Sequence, residues 1–450
     1  VNAPSDPVKL TNPITSTQPI GEDNSLNFLT ILLWTLVFLL ATLLLLDGLH
    51  IKYPIPFESE LVEIVVELEE PVFLRIGVVG DIMTHDPQLI AQTLEDGTFD
   101  FRDNYRWMRP LFSRTQIMIG NLETTLSGAD RKFTGYPMFN SPDALAAALS
   151  DAYFNVIITA NNHMYDRGGA GMIRTLEQLR AHGLSPVGTR IDSTGEAFII
   201  KAAEGIKVGI TAFSYESQRR TDYKFINGIR VRNEHRDWMN TFDPTQPELA
   251  LKEISAVVDQ MRAQGAELTI VALHWGSEYK ELPNNFQQSL AKGLHQKGVD
   301  IILGSHPHVV QPVEWLKDSL TGHQTVVAYS FGNFISNQRF ESNQKYPTED
   351  GLYLELLIER PKSTERPRIL NAYYEPTWVH RYLEGERYRY EVLPTSFVLE
   401  GTISLPQMSS AILSRVRQSF ERTSSKIKHP AWMDSSEVIT GGIRPYSWRN

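Results

Sequence analysis

Seven short apolar runs, most followed by a knot of polar residues and several separated by amphipathic stretches, set the fold class. They are Val72–Val79 (VFLRIGVV), Gln116–Gly120, Asn155–Thr159, Lys207–Phe213, Leu268–Leu273, Val299–Leu303 and Thr325–Tyr329. Their length and β-branched content suit buried strands. Helical patterns lie between several of them, at Pro142–Ser150, Gly171–Ala181, Glu248–Gln264 and Asn284–Lys297. Strands that are apolar throughout, alternating with helices, predict an α/β fold whose sheets are covered on both faces. Gly351–Glu359 reads as a late strand, and Tyr373–Val392, rich in Tyr, Arg and Glu, as a closing strand pair. Beyond Leu405, the positions Met408, Ile412, Leu413, Val416 and Phe420 keep helical spacing, so a C-terminal amphipathic helix should pack on the domain.

Ahead of this series stands Phe28–Leu46 (FLTILLWTLVFLLATLLLL), a run without a charge and without a polar face. It is long enough to cross a hydrocarbon core of roughly 30 Å, and longer than the apolar stretch of a cleavable signal peptide. The expected organisation is a disordered segment at 1–27, a transmembrane helix at 28–46 and a linker at 47–70. The main domain follows at 71–400, then a C-terminal helix and tail at 401–450. Lys9 before the span and Lys52 after it give the positive-inside rule almost nothing to act on.

Composition narrows the function classes. With 450 residues, 42% of them hydrophobic, the chain can bury a sizeable core. A formal net charge of −10 argues against nucleic acid as a partner, since binding it requires a basic face. The absence of cysteine excludes disulfides, thiolate zinc sites and cysteine catalysis.

The polar residues gather where the predicted strands end. Asp81 follows Gly80 at the end of the first run, with His85 just beyond, and Glu123 closes Asn121-Leu122-Glu123. The third run leads into NNHMYDRGG, with Asn161, Asn162, His163 and Asp166. His274 stands in VALHWG, His306 and His308 in GSHPH, and Asn333 in SFGNF. Ligands of open α/β sheets collect at the C-terminal ends of strands. Each piece alone has an ordinary structural reading, such as a turn or a hydrogen-bonded histidine, and Asp166 suits an N-cap or a carboxylate that orients its loop. Convergence changes the balance, because so many titratable groups buried at one edge without a compensating charge would be costly. Mixed nitrogen and oxygen donors suit Mn²⁺, Zn²⁺ or Fe²⁺, as one or two ions.

In that order the motifs GD, NLE, NNH, HWG and GSHPH resemble the poly-γ-glutamate capsule biosynthesis proteins (CapA/PgsA-like). These form a branch of the calcineurin-like metallophosphoesterase superfamily, and the likeness runs over residues 72–340. It implies a four-layer α/β/β/α sandwich with the metal centre at one edge. It also implies Asp81, Glu123, Asn162, His274, His306 and His308 as metal ligands, with Glu123 bridging and His163 acting on the substrate. His85, Asn161, Asp166 and Asn333 would be accessory. One departure is that the phosphoesterases carry Asp-x-His in the first motif, where this chain has Asp81-Ile82-Met83. A thioether is a poor ligand for such an ion, so one position is short of a donor unless His85 or water fills it.

The function this implies is a membrane-anchored, metal-dependent factor in synthesis, export or release of poly-γ-glutamate. It would be hydrolase-like, with its main domain outside the cell. Expected partners are the anionic polymer, the membrane and membrane synthase subunits. The alternatives are a non-catalytic polymer-binding subunit of such a synthase, and a surface phosphodiesterase.

Overall fold

The computed structural model describes residues 33–42, 70–219, 223–343, 346–405, 408–428 and 443–445. The chain divides into two units, Val1–Glu67 and Leu68–Asn450. In the first, residues 33–42 are helical with Leu33, Trp34 and Phe38 exposed. The rest of the predicted span Phe28–Leu46, the segment 1–27 and the linker as far as residue 69 lie outside the described residues. Among the described residues, no helix is long and apolar enough to cross a membrane.

The second unit opens with β1 (Val72–Ile82), α1 (Asp86–Gln92), β2 (Ile117–Leu122), α2 (Ala144–Asp151), β3 (Val156–Ile158), α3 (Gly168–Ala181) and β4 (Ser185–Val187). A second series follows: β5 (Phe198–Ala203), β6 (Ile206–Tyr215), β7 (Thr241–Phe242), α4 (Pro247–Ala263), β8 (Leu268–His274), α5 (Asn285–Gln296), β9 (Ile301–Ser305), β10 (Val313–Lys317) and β11 (Gln324–Ala328). The chain then returns to the first sheet through β12 (Asn333–Ile335), β13 (Asp350–Arg360), β14 (Arg368–Glu384) and β15 (Arg387–Pro394), and α6 (Ser410–Lys428) follows.

One sheet runs β15-β14-β13-β1-β2-β3-β4, and the other β7-β6-β8-β9-β11-β10. In the first, β1 to β4 are parallel neighbours, and β12 lies parallel to β1. In the second, β6, β8, β9 and β11 are parallel. The two sheets pack face to face. Leu74, Ile76 and Val78 of β1 share a core with Ile210, Ile270 and Ile301 of the opposite sheet. Alternate residues serve the outer faces: Val271 and Leu273 of β8 pack on Ile254, Val258 and Leu290 from α4 and α5. Ile82 and Met118 likewise pack with Leu149 of α2 and Leu179 of α3. Because both faces of each sheet are buried, the strands read as unbroken apolar runs.

Several elements differ from the sequence reading. The edge strand β5 pairs antiparallel with β6 and was not expected, since FIIKAA is half exposed and carries a lysine. The closing strand pair is longer than Tyr373–Val392 and widens the first sheet. Helix α3 begins at Gly168, three residues before the predicted start. The C-terminal helix buries Val416, and its Arg422 makes a two-pronged bond to Asp350 at 2.8 and 3.0 Å.

Candidate metal centre

Two close approaches of backbone build the edge where the polar residues meet. A Cβ on Gly80 would fall 1.9 Å from the Gly332 carbonyl, so only glycine lets β12 close against the end of β1. This pairing sets Asp81 opposite Asn333. A Cβ on Gly304 would fall 1.9 Å from the Tyr329 carbonyl, beside the turn that carries His306 and His308. Both histidines have positive φ, 97° and 58°, a region L-residues rarely adopt. Strain of this kind costs on the order of 1–3 kcal/mol per residue and collects at functional sites.

The structure brings the predicted ligands together from both sheets. Glu123 is fully buried; its Oε2 lies 3.4 Å from the Asn121 amide, while its Oε1 has no hydrogen-bond partner. Two imidazoles face that oxygen, His274 Nε2 and His308 Nε2, each at 3.8 Å. Asn162 Oδ1 stands 3.0 Å from His274 Nε2. With metal–ligand bonds of about 2.1 Å, donors sharing an ion lie roughly 3–4 Å apart, and these do.

The outer bonds of both rings support the same reading. His274 Nδ1 lies 2.8 Å from the Ser305 hydroxyl. A proton there leaves the Nε2 lone pair facing the Asn162 oxygen, an arrangement that a cation relieves. His308 Nδ1 is held by Asn333 Oδ1 at 3.0 Å and Asp81 Oδ2 at 3.2 Å, which turns Nε2 toward Glu123. Metal-binding histidines are commonly oriented by such partners. The residues present therefore fit divalent ions on either side of Glu123 Oε1, with Asp81 and His308 as donors on one side and Asn162 and His274 on the other.

Charge tells the same story. Burial first, and then the neighbouring Asp81, hold the Glu123 carboxyl well above its ordinary range. Burial and the adjacent imidazoles push His274 and His306 well below theirs, which keeps both in the neutral form that ligates metals. Burial alone would lower His308 too, but the Asp81 carboxylate outweighs it and raises the ring. His306 contacts the rings of Tyr215 and His274, each at 4.8 Å between centroids, and its Nδ1 has no partner.

His163 stands apart from this set. Its Nδ1 meets Asp166 Oδ2 at 2.8 Å, and the same oxygen accepts from the Phe139 backbone at 2.7 Å. Asp166 is thus not an N-cap, since Arg167 precedes α3; it orients the His163 ring as well as its loop. Asn161 accepts from the His163 amide and donates to Asn121 and the Leu122 carbonyl, tying the loop to β2.

His85 is not brought into either of the carboxylate–imidazole groups, Asp81–Glu123–His308 and Glu278–His306–His308. Its Nδ1 lies 3.3 Å from both Gln88 Oε1 and the Asn337 amide, and burial pushes its pKa down to about 4. Glu278 is the residue that sequence reasoning missed. The signal that could have found it is HWGSE, a carboxylate four residues after His274.

Residues 75–338 match the profile of the family described as bacterial capsule synthesis protein PGA_cap. The chain belongs to that family. The capsule biosynthesis protein CapA of Bacillus anthracis is 30% identical over 279 residues, 59% of this chain and 60% of that protein. The PGA biosynthesis protein CapA of Bacillus subtilis is 26% identical over 273 residues, 59% of this chain and 64% of that one. The chain thus spans about three fifths of the length of these relatives. A solved calcineurin-like phosphoesterase, YfkN of Bacillus subtilis, aligns with 78% of this chain and 98% of its own at 12% identity, with a TM-score of 0.38.

Proposed function

We propose that this protein is a membrane-anchored, metal-dependent factor acting on poly-γ-glutamate outside the cell, in its synthesis, export or release. The relatives named for capsule and PGA biosynthesis supply the polymer. The uncharged run Phe28–Leu46 supplies the anchor. One observation carries the chemistry: the buried, unpartnered Glu123 oxygen faced by His274 and His308 from the opposite sheet. Asp81, Glu123, Asn162, His274, His306 and His308 would hold one or two ions of Mn²⁺, Zn²⁺ or Fe²⁺.

A divalent ion held there supplies Lewis-acid polarisation of a carbonyl or phosphoryl oxygen and makes water a better nucleophile at neutral pH. The chain's own residues do the rest. Asp166 fixes the His163 tautomer with Nδ1 occupied, so Nε2 is the atom left to give or take a proton at the leaving group. Phe139, edge-on to that ring at 4.7 Å, limits its tilt. Asn161 holds the backbone of the loop so that Asn162 and His163 keep separate tasks.

A test follows from that separation. His163→Ala should leave metal content and folding nearly unchanged while removing a proton donor typically worth 10²–10⁴-fold in rate. Polymer production in a complementation assay should then fall. Wild-type polymer with His163→Ala, lost only with Asn162→Ala or His308→Ala, would establish the second reading, a non-catalytic polymer-binding subunit, which the Met83 departure favours. Anchoring and orientation are tested by protease added to spheroplasts, which should degrade the large domain; its protection refutes the outward orientation.

A further inference from the structure

The metal cradle leaves one side of the site unaccounted for. Met83 stands where the resembled phosphoesterase motif carries an imidazole, and its buried thioether is a poor donor to a borderline divalent ion. The buried His306 has an Nδ1 without a hydrogen-bond partner. Glu278, from the loop after β8, brings a carboxylate oxygen within 4.8 Å of ligand atoms of both His306 and His308, although the residue is exposed.

The loop itself is anchored beside that carboxylate. The Tyr279 amide donates to the Pro307 carbonyl at 2.8 Å, between the two histidines, and the Tyr279 ring stacks on Tyr346 at 4.9 Å. Backbone position is therefore fixed while the Glu278 side chain faces solvent. Glu123, by contrast, is fully buried and has nowhere to turn.

We propose that Glu278 is an exchangeable ligand: it gives the ion the donor that Met83 cannot, and it yields that place to a carboxylate of the incoming polymer. The second half rests on the reading of the site as one that handles poly-γ-glutamate. Replacing one carboxylate by another leaves the charge at the ion unchanged and moves no proton. Such an exchange lets the polymer both bind and leave. Turning Glu278 aside also removes a negative charge from the path of a polyanion approaching a chain of net charge −10.

The experiment uses the full chain, wild type and Glu278→Gln, loaded with Co²⁺, whose visible spectrum reports its ligands. Three probes are titrated: Co²⁺ alone, a synthetic γ-linked glutamate oligomer, and inorganic phosphate. Glu278→Gln should weaken Co²⁺ binding by about tenfold or more, at least as much as losing a residue that orients a ligand, and should change the spectrum. At saturating Co²⁺, the oligomer should perturb the wild-type spectrum and bind the variant at least as tightly, its competitor being gone. Unaltered Co²⁺ affinity and spectrum in Glu278→Gln overturn the assignment of Glu278. Weakened Co²⁺ binding, with a spectrum that answers to phosphate but not to the oligomer, keeps Glu278 as a ligand and overturns the polymer as its replacement.

Discussion

Glu123→Gln should make the metal-free protein more stable, not less. The carboxyl is fully buried, and the Asn121 amide reaches only its Oε2, an amide shared with Asp81. The other oxygen has no donor. Its pKa is raised in the folded state above the ordinary 4.5. The folded protein thus keeps a proton that the unfolded chain sheds, and this contribution to stability is lost as pH rises above about 4.5. Gln keeps the shape and removes the titration. Removing the cost of protonating this unsatisfied carboxyl is worth about 1–3 kcal/mol, at roughly 2–4 °C per kcal/mol in melting temperature for chains about half this length. The gap between variant and wild type should open as pH rises from 4.5 toward 8 and close again below it. Saturating Mn²⁺ should reverse the order, since ligand at a hundred times its Kd stabilises wild type by about 2.7 kcal/mol and the variant has lost its central donor. Thermal melts in chelator and in Mn²⁺, across that pH range, measure both signs. A metal-free variant less stable than wild type at pH 8 would refute the argument and make Glu123 a structural carboxylate.

Other perturbations test the remaining parts of the site. The double variant His306→Ala, His308→Ala should lose bound metal in elemental analysis of the purified protein; full occupancy would contradict the site. In a Glu278→Gln background, Met83→His should recover Co²⁺ affinity by calorimetry, and no recovery would mean that position 83 does not face the ion. Gly304→Ala would place a methyl 1.9 Å from the Tyr329 carbonyl and 2.6 Å from Trp275 Nε1. It should cost about 2–3 kcal/mol or more, read by denaturant unfolding; a neutral result would show that β9 and β11 can separate freely.

How much of this was legible in the sequence depended on burial. Strands β1, β2, β8, β9 and β11 were readable because both faces are covered, so apolar residues run without interruption. Strand β5 was not, since it lies at an edge, where Lys201 and half-exposed isoleucines blur the pattern. The site followed the same logic. Asp81, Asn162, His274 and His308 sit at the ends of readable strands, and their meeting could be expected from the fold class. Met83 announced a missing donor, but not what replaces it. Glu278 lies on an exposed loop whose position is set by a backbone bond to Pro307, a long-range contact with no local sequence signature. Asp166 was assigned to its loop because i and i+3 spacing alone does not distinguish a cap from a partner for His163.

The division of the ligands between the two sheets has a consequence for how the protein matures. Asp81, Glu123 and Asn162 are all synthesised before His274, His306 and His308. Asp81, Glu123 and Asn162 come from one sheet and the imidazoles, with Glu278, from the other, so neither half of a growing chain offers the whole proposed set. The full set proposed to hold the ion would be complete only once the chain is made past residue 308 and the sandwich has closed. If the chain is exported before it folds, the metal is then chosen by the compartment in which it folds and not by the one in which it is translated. On the outward orientation proposed above, its identity would record the ion supply at the cell surface.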